Sequence, residues 1–328
     1  MLYLGIETSC DETACAIVED GRRIVSSRLV SQINLHQQFG GVVPEVAARR
    51  HLEAINQLVE EVIGEAGLDL TTNPKSLSGI ACTNGPGLIG TLLVGLSCAK
   101  ALAWSYDVPL LSVDHILAHV CANYIDSDLE PPFVALVVSG GHTQIMHFRS
   151  YKEAEILGQT IDDASGEAYD KVARLLGLGY PGGPAIDRTA QSGNAAAFKL
   201  PEGVVPGYDF SFSGLKTAVM RLVENQRREH GDLLPLGDIA ASFQDAVNRV
   251  LFRKTMDAAA KLGLDRIVLA GGVAANSDLR RRFESVSGVK IYRPALSLCT
   301  DNAAMVAAAA YYSGQPVDLS ASAYSRRY

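Results

Sequence analysis

The sequence has no basic excess, no long uncharged apolar run and no paired cysteines. Its 29 Lys and Arg stand against 36 Asp and Glu, a formal net charge of −7. A dedicated nucleic-acid binder shows the opposite balance, so any RNA surface here is a local patch or comes from a partner. The longest apolar stretch, Ala303 to Tyr312, is only half a membrane span and is rich in alanine. No membrane association is expected. No basic region or cleavage site precedes Leu2-Tyr3-Leu4-Gly5-Ile6, which reads as a first strand and not as a secretory leader. The six cysteines, at 10, 15, 82, 98, 121 and 299, form no C-x-x-C pair. They read as buried free thiols in a reducing, cytoplasmic setting.

What is present is an ordinary globular composition, 48% hydrophobic and 20% charged over 328 residues. That length exceeds one compact core, so two domains are expected. A hairpin pattern occurs twice. Leu2 to Ile6 is an apolar run, residues 7–13 form a polar turn, and Ala14 to Val18 is apolar again, followed by a β-rich segment over 22–30. Phe133 to Val138, the turn Ser139-Gly140-Gly141-His142-Thr143, and Gln144 to Arg149 repeat it. Two copies half a chain apart suggest an internal duplication. Helical periodicity covers 46–66, 88–104, 115–124, 166–176, 235–263 and 303–312, and strands are expected at 108–113 and 266–270. This alternation predicts an α/β fold. Residues 177–213, rich in Gly, Pro and Ser, read as a long functional loop.

Several constellations carry chemistry. His115 and His119 are spaced i, i+4, which puts both imidazoles on one helix face. Such a pair can share a metal ion, but the segment His115-Ile116-Leu117-Ala118-His119 lacks the glutamate of zinc proteases. Asp301 is a candidate third ligand, with capping of the helix that follows as its alternative role. The two hairpin turns offer hydroxyls and backbone amides: Thr8, Ser9 and Thr13 in the first, Ser139, Gly140, Gly141 and Thr143 in the second. Successive amides in such turns suit phosphate. Gly271-Gly272-Val273-Ala274-Ala275-Asn276 follows a buried strand and precedes a helix, a second place for a base or phosphate. Asp11 and Glu12 are adjacent acids. Glu167 and Asp170 would share a helix face.

Taken together, these segments resemble the TsaD family of tRNA threonylcarbamoyltransferases, once described as glycoproteases. The motifs are GIETSCDET at 5–13, GGVVPE at 40–45, NGPGL at 84–88, HILAH at 115–119, VSGGHTQ at 138–144, IDDASGEAYDKVARLLGLGYPGG at 161–183, FSFSGLKT at 210–217, AGGVAAN at 270–276 and CTDNAAM at 299–305. The resemblance implies an α/β fold of two duplicated actin-like (sugar kinase and heat-shock ATPase) domains around a nucleotide cleft. The first domain would span 1–125, completed by the C-terminal helix at about 300–328, and the second 126–299. It implies one divalent metal on His115, His119 and Asp301, iron foremost and zinc as the alternative, though imidazole and carboxylate also suit manganese and nickel. Adenylate, ATP or AMP would lie against Val137, Val138, Ser139, Gly140, Gly141, Asp170, Gly183, Asp187 and Asn276. Asp11 and Glu12 fall where the family has functionally important acids, and either would orient or deprotonate the amine.

The implied reaction moves a threonylcarbamoyl group from threonylcarbamoyl-AMP to N6 of adenosine 37 in tRNAs reading codons that begin with A, releasing AMP. The implied partners are tRNA, a TsaB-like inactive paralogue and a TsaE-like ATPase. Residues 49–51 and 280–282 offer basic stretches for RNA, and the helix with Val46, Leu52 and Ile55 a docking face. The rival readings are a metal-dependent glycoprotein endopeptidase, a small-molecule kinase on the same superfold, and a nucleotide-binding scaffold.

Overall fold

A computed structural model describes residues 1–231 and 233–325. The chain divides into two compact units. Unit 1 comprises Met1–Glu130 and the segment that starts at Pro294; unit 2 is Pro131–Arg293.

Unit 1 opens with β1 (Leu2–Glu7), β2 (Glu12–Glu19) and β3 (Arg23–Ser31), then α1 (Ile33–Gln37), α2 (Pro44–Glu65), β4 (Gly79–Gly85), α3 (Ile89–Tyr106), β5 (Leu110–Asp114) and α4 (His115–Cys121). Unit 2 carries β6 (Phe133–Val138), β7 (Thr143–Phe148), β8 (Ala154–Gln159), α5 (Ser165–Leu175), α6 (Gly182–Ala190), α7 (Ser213–His230), α8 (Leu236–Leu262), β9 (Arg266–Ala270), α9 (Ser277–Glu284) and β10 (Lys290–Tyr292). The chain then returns to unit 1 through α10 (Ala303–Ser313) and β11 (Gln315–Val317).

The two sheets share one plan. In unit 1 the order is β11-β5-β4-β1-β2-β3, and in unit 2 it is β10-β9-β6-β7-β8. Each begins with an antiparallel three-strand meander, and its first strand then pairs in parallel with a strand reached by helical crossover. The repeated hairpin seen in the sequence is thus the start of each sheet.

Glycine sets how closely α10 approaches the sheet of unit 1. A Cβ on Gly5 would lie 2.4 Å from the Ala303 carbonyl oxygen and 2.6 Å from the Ala307 nitrogen. The alanines of α10, all buried, complete this close contact and bring the start of α10 beside the end of β1. Asn302, not Asp301, caps α10: its side chain accepts from the Met305 amide at 2.9 Å. Asp301 is therefore not spent on the cap.

The expected long loop over 177–213 contains α6. The single Gly-Gly step at its start mimics a loop in composition, but Asp170 Oδ1 accepts from the Gly182 amide at 2.7 Å and anchors a helix there. Helix α3, with a mean hydropathy of 1.3 over 18 residues, is a longer apolar segment than the one read from the sequence. One side of it packs on β4 and α2.

Candidate functional site

The turn from β5 into α4 builds the imidazole pair. Asp114 Oδ1 accepts from the amides of Ile116 at 2.9 Å and Leu117 at 3.2 Å, an N-cap that starts the helix at once. His115 and His119 then sit one turn apart, both buried, with ring centroids 4.6 Å apart. Asp301 Oδ1 lies 3.6 Å from His115 Nε2 and 3.2 Å from His119 Nε2. One ligand atom from each of the three lies within 4.8 Å of the others.

These residues fit a metal ion. His119 is 1% exposed, and neither ring nitrogen has a hydrogen-bond partner among the described residues. Its Nε2 approaches Asp301 without the geometry of a hydrogen bond, so acceptor lone pairs converge there. Around one ion with bonds of about 2.0–2.1 Å, neighbouring tetrahedral donors stand about 3.3 Å apart. The two carboxylate–imidazole separations bracket that figure.

Glu7, at the end of β1, was not singled out in the sequence, although a carboxylate closing an apolar strand is itself a signal. It is fully buried. Its Oε2 accepts from Thr83 Oγ1 at 2.6 Å and lies 3.3 Å from His115 Nδ1, and its Oε1 accepts from the Ser9 amide at 2.6 Å. Ser9 Oγ also stands 3.3 Å from His115 Nδ1. Burial alone would push the His115 imidazole down, but the Asp301 and Glu7 carboxylates outweigh it and raise it to about 9. Burial would push Glu7 up, yet His115 and Thr83 hold it below the usual range.

Asp11 and Glu12 are both buried in unit 1. Asp11 Oδ2 has no hydrogen-bond partner among the described residues. Glu12 Oε1 accepts from Ser31 Oγ at 3.2 Å. Burial, then the negative charges of Asp301 and Asp11, raise the Glu12 carboxyl to about 10. The remaining hydroxyls of this turn are engaged within the fold. Thr8 Oγ1 donates to the Thr91 carbonyl at 2.8 Å and accepts from the Gly95 amide, and Thr13 Oγ1 meets His51 Nδ1 at 2.7 Å.

The second turn is different. Side chains of Val137 and Val138 are fully buried, leaving only their backbone to contact a ligand. A Cβ on Gly140, Gly141 or Gly183 would meet nothing within 4 Å. Two close approaches shape the turn. Gly166 backs onto Ser139, and Gly271, at φ +87°, would put a Cβ 2.4 Å from the Val138 carbonyl oxygen. Asp187 Oδ1 accepts from Asn276 Nδ2 at 3.3 Å and Ser277 Oγ at 2.8 Å, and Asn276 caps α9. These residues gather near the carboxyl ends of the parallel strands β6 and β9, where open α/β sheets take ligands.

The basic stretches fare unevenly. His51 is buried against the first turn, Arg280 is buried and donates to the Ala274 carbonyl at 2.7 Å, and Arg282 pairs with Asp278 and Asp245. Arg49, Arg50 and Arg281 remain exposed.

The fold is that of the actin-like ATPases. HypF from T. kodakarensis, a solved structure, aligns with a TM-score of 0.65 at 16% identity over 94% of this chain and 47% of that one. Sequence comparison goes further. The TsaD model, described as tRNA N6-adenosine threonylcarbamoyltransferase, matches residues 23–308. The protein of that name from Cyanothece sp. is 53% identical over 94% of this chain and 90% of its own length. That from Microcystis aeruginosa is 51% identical over 99% and 96%. The chain belongs to the TsaD family of tRNA N6-adenosine threonylcarbamoyltransferases.

Proposed function

We propose that the chain transfers the threonylcarbamoyl group of threonylcarbamoyl-AMP to N6 of adenosine 37 in tRNAs reading codons that begin with A. The observation that carries this reading is the meeting of three acceptor atoms, from His115, His119 and Asp301, beside two buried acids. His115, His119 and Asp301 would hold one divalent ion, iron foremost and zinc as the alternative. The chemistry such an ion supplies when bound is Lewis-acid polarisation of a carbonyl.

In this mechanism the adenine amine attacks the carbamoyl carbon. A C–N bond forms, the C–O bond to the phosphate breaks, and AMP leaves. Asp11, whose Oδ2 has no hydrogen-bond partner among the described residues, orients the amine and takes its proton. In the metal-free site Glu12 is raised to about 10 by burial and by the charges of Asp301 and Asp11; a bound ion would offset the charge of Asp301 and return the carboxyl toward its ordinary value, so that Glu12 serves the amine alongside Asp11. The Gly140 and Gly141 amides, with Val137, Val138 and Ser139, would hold the adenylate phosphate. Asp170, Gly183, Asp187 and Asn276 would line the rest of the nucleotide.

The partners of this reading are tRNA, a TsaB-like inactive relative and a TsaE-like ATPase, in the cytoplasm. All six cysteines are free thiols, as a reducing compartment requires. Leu52 and Leu93, exposed on α2 and α3, flank a groove of about 330 Å³ lined also by Ile55, Val94 and Cys98. That groove is our candidate for the TsaB-like protein.

The test is mass analysis of nucleosides from tRNA incubated with the protein, both partners, threonine, bicarbonate and ATP. Threonylcarbamoyladenosine at position 37 is expected, lost in His115→Ala with the circular dichroism spectrum unchanged. Product formation by His115→Ala at the normal rate would refute the assignment.

A further inference from the structure

Beyond the three ligands, a fourth side chain controls the site. We infer that Glu7 is a positioning residue that fixes the tautomer of His115, so that Nδ1 carries the proton and Nε2 presents its lone pair beside Asp301. The inference rests on the metal reading above and extends it to a residue that touches neither ion nor substrate.

Three contacts make Glu7 specific for this task. Thr83 Oγ1 and the Ser9 amide each lie 2.6 Å from one of its oxygens, so the carboxylate is held at both ends. Its Oε2 faces His115 Nδ1 at 3.3 Å. A carboxylate without a proton only accepts, so Nδ1 must donate, and in the neutral ring that ligation requires it is Nε2 that is left free. A carboxylate on the far nitrogen of a ligating imidazole orients the ring and raises its basicity. His119 has no such support: its Nδ1 is buried without a hydrogen-bond partner among the described residues. The two imidazoles are therefore unequal, and His115 is the anchored one.

The Ser9 amide also dictates what Glu7→Gln would do. That amide can only donate, so it demands the oxygen of the new carboxamide. The NH2 group is then forced to the position of Oε2, facing His115 Nδ1. A donor there favours an accepting Nδ1, to which the Ser9 hydroxyl at 3.3 Å can also donate, and moves the imidazole proton to Nε2, where it blocks the metal. The side chain keeps nearly the same shape, so the fold is expected to survive.

The experiment measures cobalt(II) and zinc(II) binding to the full chain by titration against a competing chelator, for wild type, His119→Ala and Glu7→Gln. Wild type should bind, His119→Ala should fail, and Glu7→Gln should bind about 10–100-fold more weakly. Wild type failing to bind, or His119→Ala binding as wild type does, would overturn the metal reading itself. Wild-type affinity in Glu7→Gln, with the other two behaving as expected, would overturn the Glu7 inference alone. A second measurement needs no Glu7 variant. In zinc-loaded protein with 15N-labelled histidine, the His115 ring should show its proton on Nδ1. A proton on Nε2 would sink the inference whatever happens to the folding of Glu7→Gln.

Discussion

Glu12→Gln should make the metal-free protein more stable at neutral pH while abolishing transfer. The Glu12 carboxyl, raised to about 10 chiefly by burial and then by the charges of Asp301 and Asp11, keeps its proton when folded. Its ordinary value is 4.5. Between those limits the folded chain holds a proton that the unfolded chain releases, so stability falls as pH rises. At pH 7 the difference amounts to about 3 kcal/mol, at roughly 1.4 kcal/mol per pH unit. Below 4.5 both states are protonated and the cost vanishes. A neutral carboxamide never carries the cost. Its oxygen can still accept from Ser31 Oγ, and its NH2 can donate to Asp11. For a unit of this size the gain corresponds to roughly 6–12 °C in melting temperature at pH 7. The assay is thermal melting of both proteins in chelator at pH 5, 7 and 9. The advantage of Glu12→Gln should widen with each step. An advantage that stays constant across the series, or a variant less stable at pH 9, would refute the reasoning.

Five further outcomes follow from the structure. The His115 imidazole, which burial would lower but Asp301 and Glu7 raise to about 9, must lose its proton to ligate. Cobalt(II) affinity should therefore climb about tenfold per pH unit up to about pH 9 and then level, with proton release seen calorimetrically; a flat profile refutes this. The same raised value contributes folding stability that is complete below 6.5 and lost as pH rises through about 9. Gly271→Ala places a methyl 2.4 Å from the Val138 carbonyl oxygen at φ +87°, and should cost about 1–3 kcal/mol in thermal melts. Gly140→Ala meets nothing within 4 Å, so it should melt normally yet weaken AMP binding in calorimetry if that turn is the phosphate site. Leu93→Glu, on a side chain 47% exposed, should change stability by less than about 0.5 kcal/mol and abolish co-purification with the TsaB-like partner.

The architecture was readable where periodicity was strong. The α10 expectation of 303–312 differs from Ala303–Ser313 by one residue, and β6 and β9 fall on the expected residues. The Asp114 cap of α4 is a signal of the local kind a sequence carries, since it needs only one side chain and two nearby amides. Helix α6 was not legible, because it starts at Gly182 and its stability comes from Asp170, twelve residues earlier in the chain. The same limit applies inside the site. The i, i+4 spacing of His115 and His119 was visible locally, but the role of Thr8, Thr13 and His51 was not. Their hydroxyl and imidazole groups pair across 83 and 38 residues of sequence, and no local pattern encodes such partners.

Glu7 shows why the site is more than a set of ligands. Negative charge accumulates in this part of unit 1: Asp301 acts on Glu7, Cys10 and Glu12, and Asp11 acts on Cys10 and Glu12, in every case raising the acid and opposing its ionisation. Burial adds to that opposition. Such a cluster is costly unless positive charge is brought to it. The imidazolium of His115 offsets part of the field, but only by taking up the nitrogen that ligation needs. A divalent ion on His115, His119 and Asp301 removes that conflict, since it neutralises Asp301 directly and leaves Glu7 to hold the Nδ1 proton. Charge balance and ligand geometry thus favour the same occupant. A consequence is that metal loading should lower the Glu12 carboxyl toward its ordinary value, so the stability advantage of Glu12→Gln should shrink when the melts are repeated with zinc. An unchanged advantage would mean that the ion does not sit beside Asp301.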